Sequence, residues 1–205
     1  MKFNFKNKKT LYNIAALAVS ILIIAFLQMN SYEYNYQIGI LERTAIYAVV
    51  AVSMNLLNGF TGLFSLGQAG FMAIGAYTVG ILTIPVAQRA SIYYISGISP
   101  VIANLYIPFF PALIIGGLLS ALVAAIIGIP VLKLKSDYLA IATLGFSEII
   151  RALISAPQLN TITNGSYGLK NIPSFPNLFV FFAIIAVCIL LMVMLINSSY
   201  GRVFK

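Results

Sequence analysis

The chain has 205 residues, 61% of them hydrophobic and 8% charged, with a formal net charge of +8. Soluble domains carry about 25% charged residues, so a soluble globular fold is excluded. The absence of histidine and the presence of one cysteine, Cys188, exclude an intrachain disulfide and a His/Cys metal cluster.

Four long runs carry no charge: Thr10 to Tyr32, Thr44 to Gln88, Ala90 to Leu132 and Asn171 to Gly201. A membrane helix needs about 20 such residues, so the expected fold is an all-α polytopic membrane protein. Six segments are expected, at 11–29, 40–58, 65–85, 108–128, 138–154 and 178–197. The first follows a lysine-rich start, like a signal peptide. Its 19 apolar residues exceed the usual h-region, and QMNSYEY supplies no small-x-small cleavage site. An uncleaved first span is expected.

The positive charges set the orientation. Lys2, Lys6, Lys8, Lys9, Lys133, Lys135, Arg202 and Lys205 lie in short segments between or beyond apolar runs, which is how topology signals are placed, and not in a nucleic-acid-binding patch. With both termini in the cytoplasm (N-in, C-in) all eight are inside, while Arg89 and Lys170 fall in outer loops and Arg43 and Arg151 near outer helix ends. The two long outer segments, 86–107 and 155–177, read as loops; the second is rich in Pro, Gly, Asn and Ser, hence turn-forming.

Between Asn55 and Leu82 stand six glycines (Gly59, Gly62, Gly67, Gly70, Gly75, Gly80), with Asn55, Asn58, Ser65 and Gln68 among them and no charge. Small residues four apart let membrane helices approach closely. Ser65, Ala69 and Ala73 have that spacing here, as do Gly116, Ser120, Ala124 and Gly128 in the fourth segment. Such faces serve either a helix contact within one subunit or a path and a subunit interface. The turn NGFTG, near 59–64, has no lysine or arginine. It is either an ordinary short turn or a broken element beside a pathway, since irregular backbone at membrane depth survives only inside protein or along a wet cavity. The fifth segment, 138–154, carries Glu148 and Arg151 three apart on one helix face. Glu148 lies ten residues past Tyr138, roughly 15 Å deep. The two are either pathway residues or a pair that satisfies itself.

No GxxxxGK[ST] phosphate loop occurs, and four scattered carboxylates offer no acid–base pair. Neither ATP hydrolysis nor covalent chemistry is expected of this chain, and no cofactor.

Four stretches, in order, resemble one family. They are NLLNGFTGLFSLGQAGFMAIGAYTVGIL (Asn55 to Leu82), GIPVLKLKSDYLAIATLGFSEIIR (Gly128 to Arg151), TNGSYGLKNIP (Thr163 to Pro173) and SSYGRVFK at the end. They are similar to permeases of branched-chain amino-acid ABC importers, the second and fourth favouring the M-type subunit for Leu/Ile/Val. The resemblance implies a multi-pass protein of the cell (plasma or inner) membrane. Its implied partners are a sister permease, cytoplasmic ATPases and an extracytoplasmic binding protein that delivers the amino acid. The candidate pathway or packing residues are Asn55, Asn58, Gly62, Ser65, Gly67, Gln68, Gly70, Gly75, Glu148, Arg151, Asn164 and Gly165. The candidate ATPase-facing residues, on the cytoplasmic side in this orientation, are Lys133, Lys135, Tyr200, Gly201 and Arg202. Relatives that carry urea, short amides or other amino acids share much of the pattern; an ATP-independent transporter or channel is the other alternative. Family members continue past the YGR motif, so residues 1–205 are expected to be the N-terminal portion of a longer permease domain.

Overall fold

The computed structural model describes residues 8–95, 97–173, 175, 177–198 and 201. Every regular element among them is helical. The α-helices in chain order are α1 (Lys8–Met29), α2 (Asn35–Asn55), α3 (Gln68–Thr83), α4 (Val86–Ile92), α5 (Pro100–Ala103), α6 (Phe109–Val131), α7 (Ser136–Ile154), α8 (Asn160–Thr163) and α9 (Leu178–Asn197). A π-helical turn, Leu56–Phe60, continues α2. Helices thus cover each of the six expected segments to within about five residues.

Three helical runs are long and apolar enough to cross a bilayer: Asn35–Phe60, Phe109–Val131 and Leu178–Asn197. Two further pairs qualify together but are bent, Gln68–Thr83 with Val86–Ile92 by 119° and Tyr138–Ile154 with Pro157–Thr163 by 55°. Counting each bent pair as one crossing gives five. The first of the six expected segments lies within α1, of which Ala18–Met29 is a shorter apolar helix.

The chain divides into two compact units. One comprises residues 1–53 and 175–204. Within it α1 and α9 pack together, and the Leu178 amide, an N-terminal helix donor with no partner inside its own helix, donates to Gln28 Oε1 at 2.7 Å. Phe181 is buried and meets Phe175 and Phe182 edge-on at 5.6 and 5.4 Å between ring centroids.

The other unit holds residues 54–174. Its centre is α3, packed against α6 and α7. Beyond the C-terminal end of α3 the two segments read as outer loops fold together instead. Ile84, Ile92, Tyr93 and Ile102 form a buried apolar cluster, with Ile98, Ile162 and Leu169 against it. This corrects the expectation of plain loops: apolar residues between the turn formers give 86–107 and 155–173 a small core of their own. The Ser99 amide donates to the Thr161 carbonyl at 3.1 Å and the Ile107 amide to the Leu82 carbonyl at 3.0 Å. We call this layer the cap.

Candidate functional site

The glycine-rich stretch opens with the π turn Leu56–Phe60, a form that recurs at functional sites. Thr61 closes it by donating its hydroxyl to the Leu57 carbonyl. Gly62 follows at φ +68°, in the left-handed region that a side chain opposes. Residues 62–66 adopt no regular element. Their amides, with no helical partner, must find others. The Leu63 amide donates to Thr61 Oγ1 at 3.3 Å, the Ser65 amide to Asn58 Oδ1 at 3.1 Å and the Leu66 amide to Thr143 Oγ1 at 3.0 Å. Ser147 donates to the Leu66 carbonyl at 3.2 Å. The segment between α2 and α3 is therefore a broken element fastened to α7 by Thr143 and Ser147, rather than an ordinary short turn.

Three glycines of α3 then set its contacts, five residues apart. A Cβ on Gly70 would stand 3.1 Å from Ser147 Cα, against the α7 backbone. One on Gly75 would stand 3.1 Å from Ser120 Oγ of α6, and one on Gly80 would stand 3.0 Å from Leu169 Cδ1 of the cap. Across the α3–α6 crossing Ser120 donates to the Phe71 carbonyl at 3.2 Å. Phe71 and Phe146 close the α3–α7 side with ring centroids 5.4 Å apart. Below them lies an apolar cavity of about 220 Å³, lined by Leu57, Phe71, Ala124, Val131, Leu139 and Phe146 among others.

Asn58, Ser65, Gly67 and Gly70 are thus brought together with α7; Ser65, Gly67 and Gly70 are buried and Gln68 is half-buried. Asn55 is exposed on the last turn of α2, and Gly75 belongs to the α6 crossing. Glu148 and Arg151 do not join them. They pair with each other, Arg151 Nε to Glu148 Oε2 at 3.0 Å, and both side chains are exposed, 79% for Arg151 and 61% for Glu148. A lone charge at the centre of a membrane helix costs about 2.5–3.5 kcal/mol on insertion scales; here each charge has the other as its partner.

Asn164 and Gly165 lie buried in the cap, both with positive φ, 59° and 52°. Asn164 Nδ2 donates to the Gly168 carbonyl at 2.8 Å, and Thr163 Oγ1 donates to the Ile154 carbonyl at 2.7 Å while accepting from the Gly165 amide at 3.2 Å. Lys133 and Lys135 are exposed between α6 and α7. Gly201 is buried, its amide donating to Ser198 Oγ at 3.3 Å. Tyr200 and Arg202 lie outside the described residues.

Arg89 departs from its expectation as an outer-loop charge. It is 3% exposed. Its Nε and Nη2 donate to the Ile84 carbonyl at 3.1 Å, and Nη2 also reaches the carbonyls of Ile81, at 3.1 Å, and Leu105. Helix ends leave carbonyls without amide partners and carry a negative partial charge, and the bend after α3 creates such an end. A guanidinium, with five donors on a planar fork, meets that need. Beside it Tyr93 donates its hydroxyl to the Ile162 carbonyl at 2.6 Å, tying α4 to the 155–173 segment. Burial pushes the Tyr93 pKa up, the Arg89 charge opposing, so the hydroxyl remains a donor.

Thr143 and Ser147 were not among the sequence candidates, and Arg89 was read only as an outer-loop charge, whereas Ser120 belongs to the small-residue face named in the fourth segment. For the first two the available signal is a pair of small hydroxyl residues four apart in YLAIATLGFSEII, which places them on one helix face.

A family model described as branched-chain amino acid transport system / permease component matches residues 36–205. The chain is 40% identical over 144 residues to the high-affinity branched-chain amino acid transport system permease protein LivM of Salmonella typhimurium, and equally to that of Escherichia coli, covering 69% of this chain and 28% of each relative. It is 30% identical over 188 residues to a probable branched-chain amino acid transport permease protein LivM of Methanocaldococcus jannaschii, covering 78% of this chain and 53% of the relative. The chain thus spans about half or less of the length of these relatives. No solved structure matches it.

Proposed function

Because the chain belongs to the branched-chain amino acid transport permease family and is a multi-pass protein of the cell membrane, we propose that it forms part of the path by which leucine, isoleucine and valine cross the membrane in an ATP-driven importer. In this proposal a sister permease completes the path, an extracytoplasmic binding protein delivers the amino acid to the cap side, and separate cytoplasmic ATPases supply the energy. The orientation that fits is N-in, C-in with six crossings, α1 being the first. Lys133 and Lys135, with Tyr200, Gly201 and Arg202, then form ATPase-facing surface. Asn164 and Gly165 stiffen the side that receives substrate.

One observation carries the proposal. Residues 62–66 are non-helical and their amides are taken up by Thr61, Asn58 and Thr143. Such backbone at membrane depth occurs where it is enclosed by protein or borders a wet cavity, as in the discontinuous helices of transporter sites. Glu148 and Arg151, exposed on the neighbouring helix, supply polar surface for such a cavity.

The test is uptake of radiolabelled leucine by cells of the source organism with the gene intact and with it deleted. Deletion is expected to abolish high-affinity leucine uptake, and reintroduction to restore it. Unchanged leucine, isoleucine and valine uptake on deletion refutes the proposal. Lost uptake of urea or a short amide instead moves the substrate to that class.

A further inference from the structure

We propose that Glu148 and Arg151 form a transient binding site for the charged end of a zwitterionic α-amino acid, Arg151 taking the carboxylate and Glu148 the ammonium. The inference rests on the pathway reading above and adds the residues that read the substrate's charges.

The contact between them joins Arg151 Nε to Glu148 Oε2. A guanidinium has five N–H donors and a carboxylate about four acceptor sites. This contact leaves most of both sets unused, on side chains 79% and 61% exposed. The unengaged Nη edge matches a carboxylate, which a guanidinium fork holds with two parallel hydrogen bonds. The remaining Glu148 oxygen accepts from an ammonium.

An α-amino acid carries its ammonium and carboxylate on one carbon. It therefore presents two opposite charges to two opposite charges held on one helix turn. The site is neutral before and after a zwitterion arrives, so passage leaves no net charge stranded in a low-dielectric region. An amine or acid of the same shape leaves one.

The surroundings leave room. Gly145 lies three residues before Glu148 on the same exposed face, and nothing stands within 4 Å of where its Cβ would be. Ala152 is also small and exposed. Ile141 and Leu144, exposed one to two turns earlier, offer apolar surface to an aliphatic side chain.

The experiment uses the native transport system in its own cells, with the allele replaced and the membrane-inserted amount measured by immunoblot. Glu148→Gln combined with Arg151→Gln removes both charges, which makes insertion less costly, so a pair that only satisfies itself predicts native uptake. The expected result is normal insertion with leucine uptake reduced at least about tenfold, the factor expected for a lost charge-assisted hydrogen bond. Arg151→Lys keeps the ion pair and removes the fork. Its expected result is normal insertion and uptake reduced at least about threefold, because one bond of the bidentate pair is lost. It decides the matter alone if the double variant does not insert. Native-rate leucine uptake by either inserted variant overturns the proposal while leaving the pathway reading in place. Native-rate uptake in the deletion strain overturns the pathway reading itself.

Discussion

Gly75 of α3 and Gly116 of α6 cross backbone against backbone: a Cβ on Gly116 would stand 3.2 Å from the Gly75 carbonyl oxygen and 2.8 Å from Val79 Cγ2. Val79 can rotate aside, but the carbonyl belongs to a helix and cannot. Gly117, the next residue, has nothing within 4 Å. Gly116→Ala is therefore expected to destabilise the α3–α6 contact by about 1–3 kcal/mol, the usual cost of overpacking. Gly117→Ala is expected to be neutral or slightly stabilising, since alanine favours the helix by about 1 kcal/mol over glycine. Thermal unfolding of the purified protein in one detergent separates them, and equal behaviour of the two variants refutes the crossing.

Gly70 approaches the α7 backbone at Ser147, and Gly67 meets Thr143 Cβ at 3.4 Å. Gly67→Leu and Gly70→Leu are expected to reduce leucine uptake well beyond Leu191→Val, a change at an exposed position of α9. Leucine is more apolar than glycine, so lost hydrophobicity cannot be the cause; lost close approach is. Uptake normalised to membrane-inserted protein checks this, and normal uptake by both leucine variants shows that the stretch tolerates bulk.

The positions of the helices were legible because long, mostly uncharged apolar runs admit little but helix in a bilayer. Gly62 and the uncharged NGFTG turn marked the break. What fastens the break was not legible: Thr143 lies 77 residues from Leu66 and Ser147 lies 81, and no local pattern announces a pairing at that distance. The cap was misread as loops because Pro, Gly, Asn and Ser crowd its second segment, while the isoleucines that close its core are scattered from Ile84 to Ile162. Arg89 was misread for the same reason. Its carbonyl partners exist only once α3 has ended and the chain has bent.

Thr143 both accepts from the Leu66 amide and donates to the Ala140 carbonyl at 3.1 Å. Thr143→Val keeps the shape and strands the Leu66 amide. An unsatisfied buried donor costs about 1–3 kcal/mol, and Thr143→Ser, which keeps the hydroxyl, is expected to cost less. Thermal unfolding in detergent measures both. If Thr143→Val melts with the native protein, the bond does not hold the segment.

Arg89→Met removes the donors to the carbonyls of Ile81, Ile84 and Leu105. It also removes a buried cation, which works in the opposite direction. Hydrogen bonds from a charged donor contribute about 1.5–3 kcal/mol each, and several are lost, so net destabilisation of about 3 kcal/mol is expected. Arg89→Lys is expected to recover only part of it, since an ammonium lacks the planar fork. Limited proteolysis of the cap, with cleavage between residues 93 and 107 as the readout, distinguishes a loosened cap from an intact one. Native resistance of Arg89→Met would show that the clamp is dispensable.

The proposed orientation rests on the distribution of positive charge. Arg89 is consumed inside the cap, so of the two outer-loop charges Lys170 alone is exposed, while Lys133 and Lys135 are both exposed at the opposite end of α7. The proposed orientation puts the α6–α7 turn, with its two lysines, in the cytoplasm. Replacing Cys188, the one cysteine, by alanine gives a background for single-cysteine labelling. Ser91 and Ser166 are exposed in the cap, and Lys135 is exposed at the turn. In intact cells an impermeant maleimide is expected to label Ser91→Cys and Ser166→Cys and to leave Lys135→Cys unlabelled until the membrane is opened. Labelling of Lys135→Cys in intact cells, with Ser91→Cys and Ser166→Cys protected, would reverse the orientation, and with it the assignment of Lys133 and Lys135 to the ATPase side.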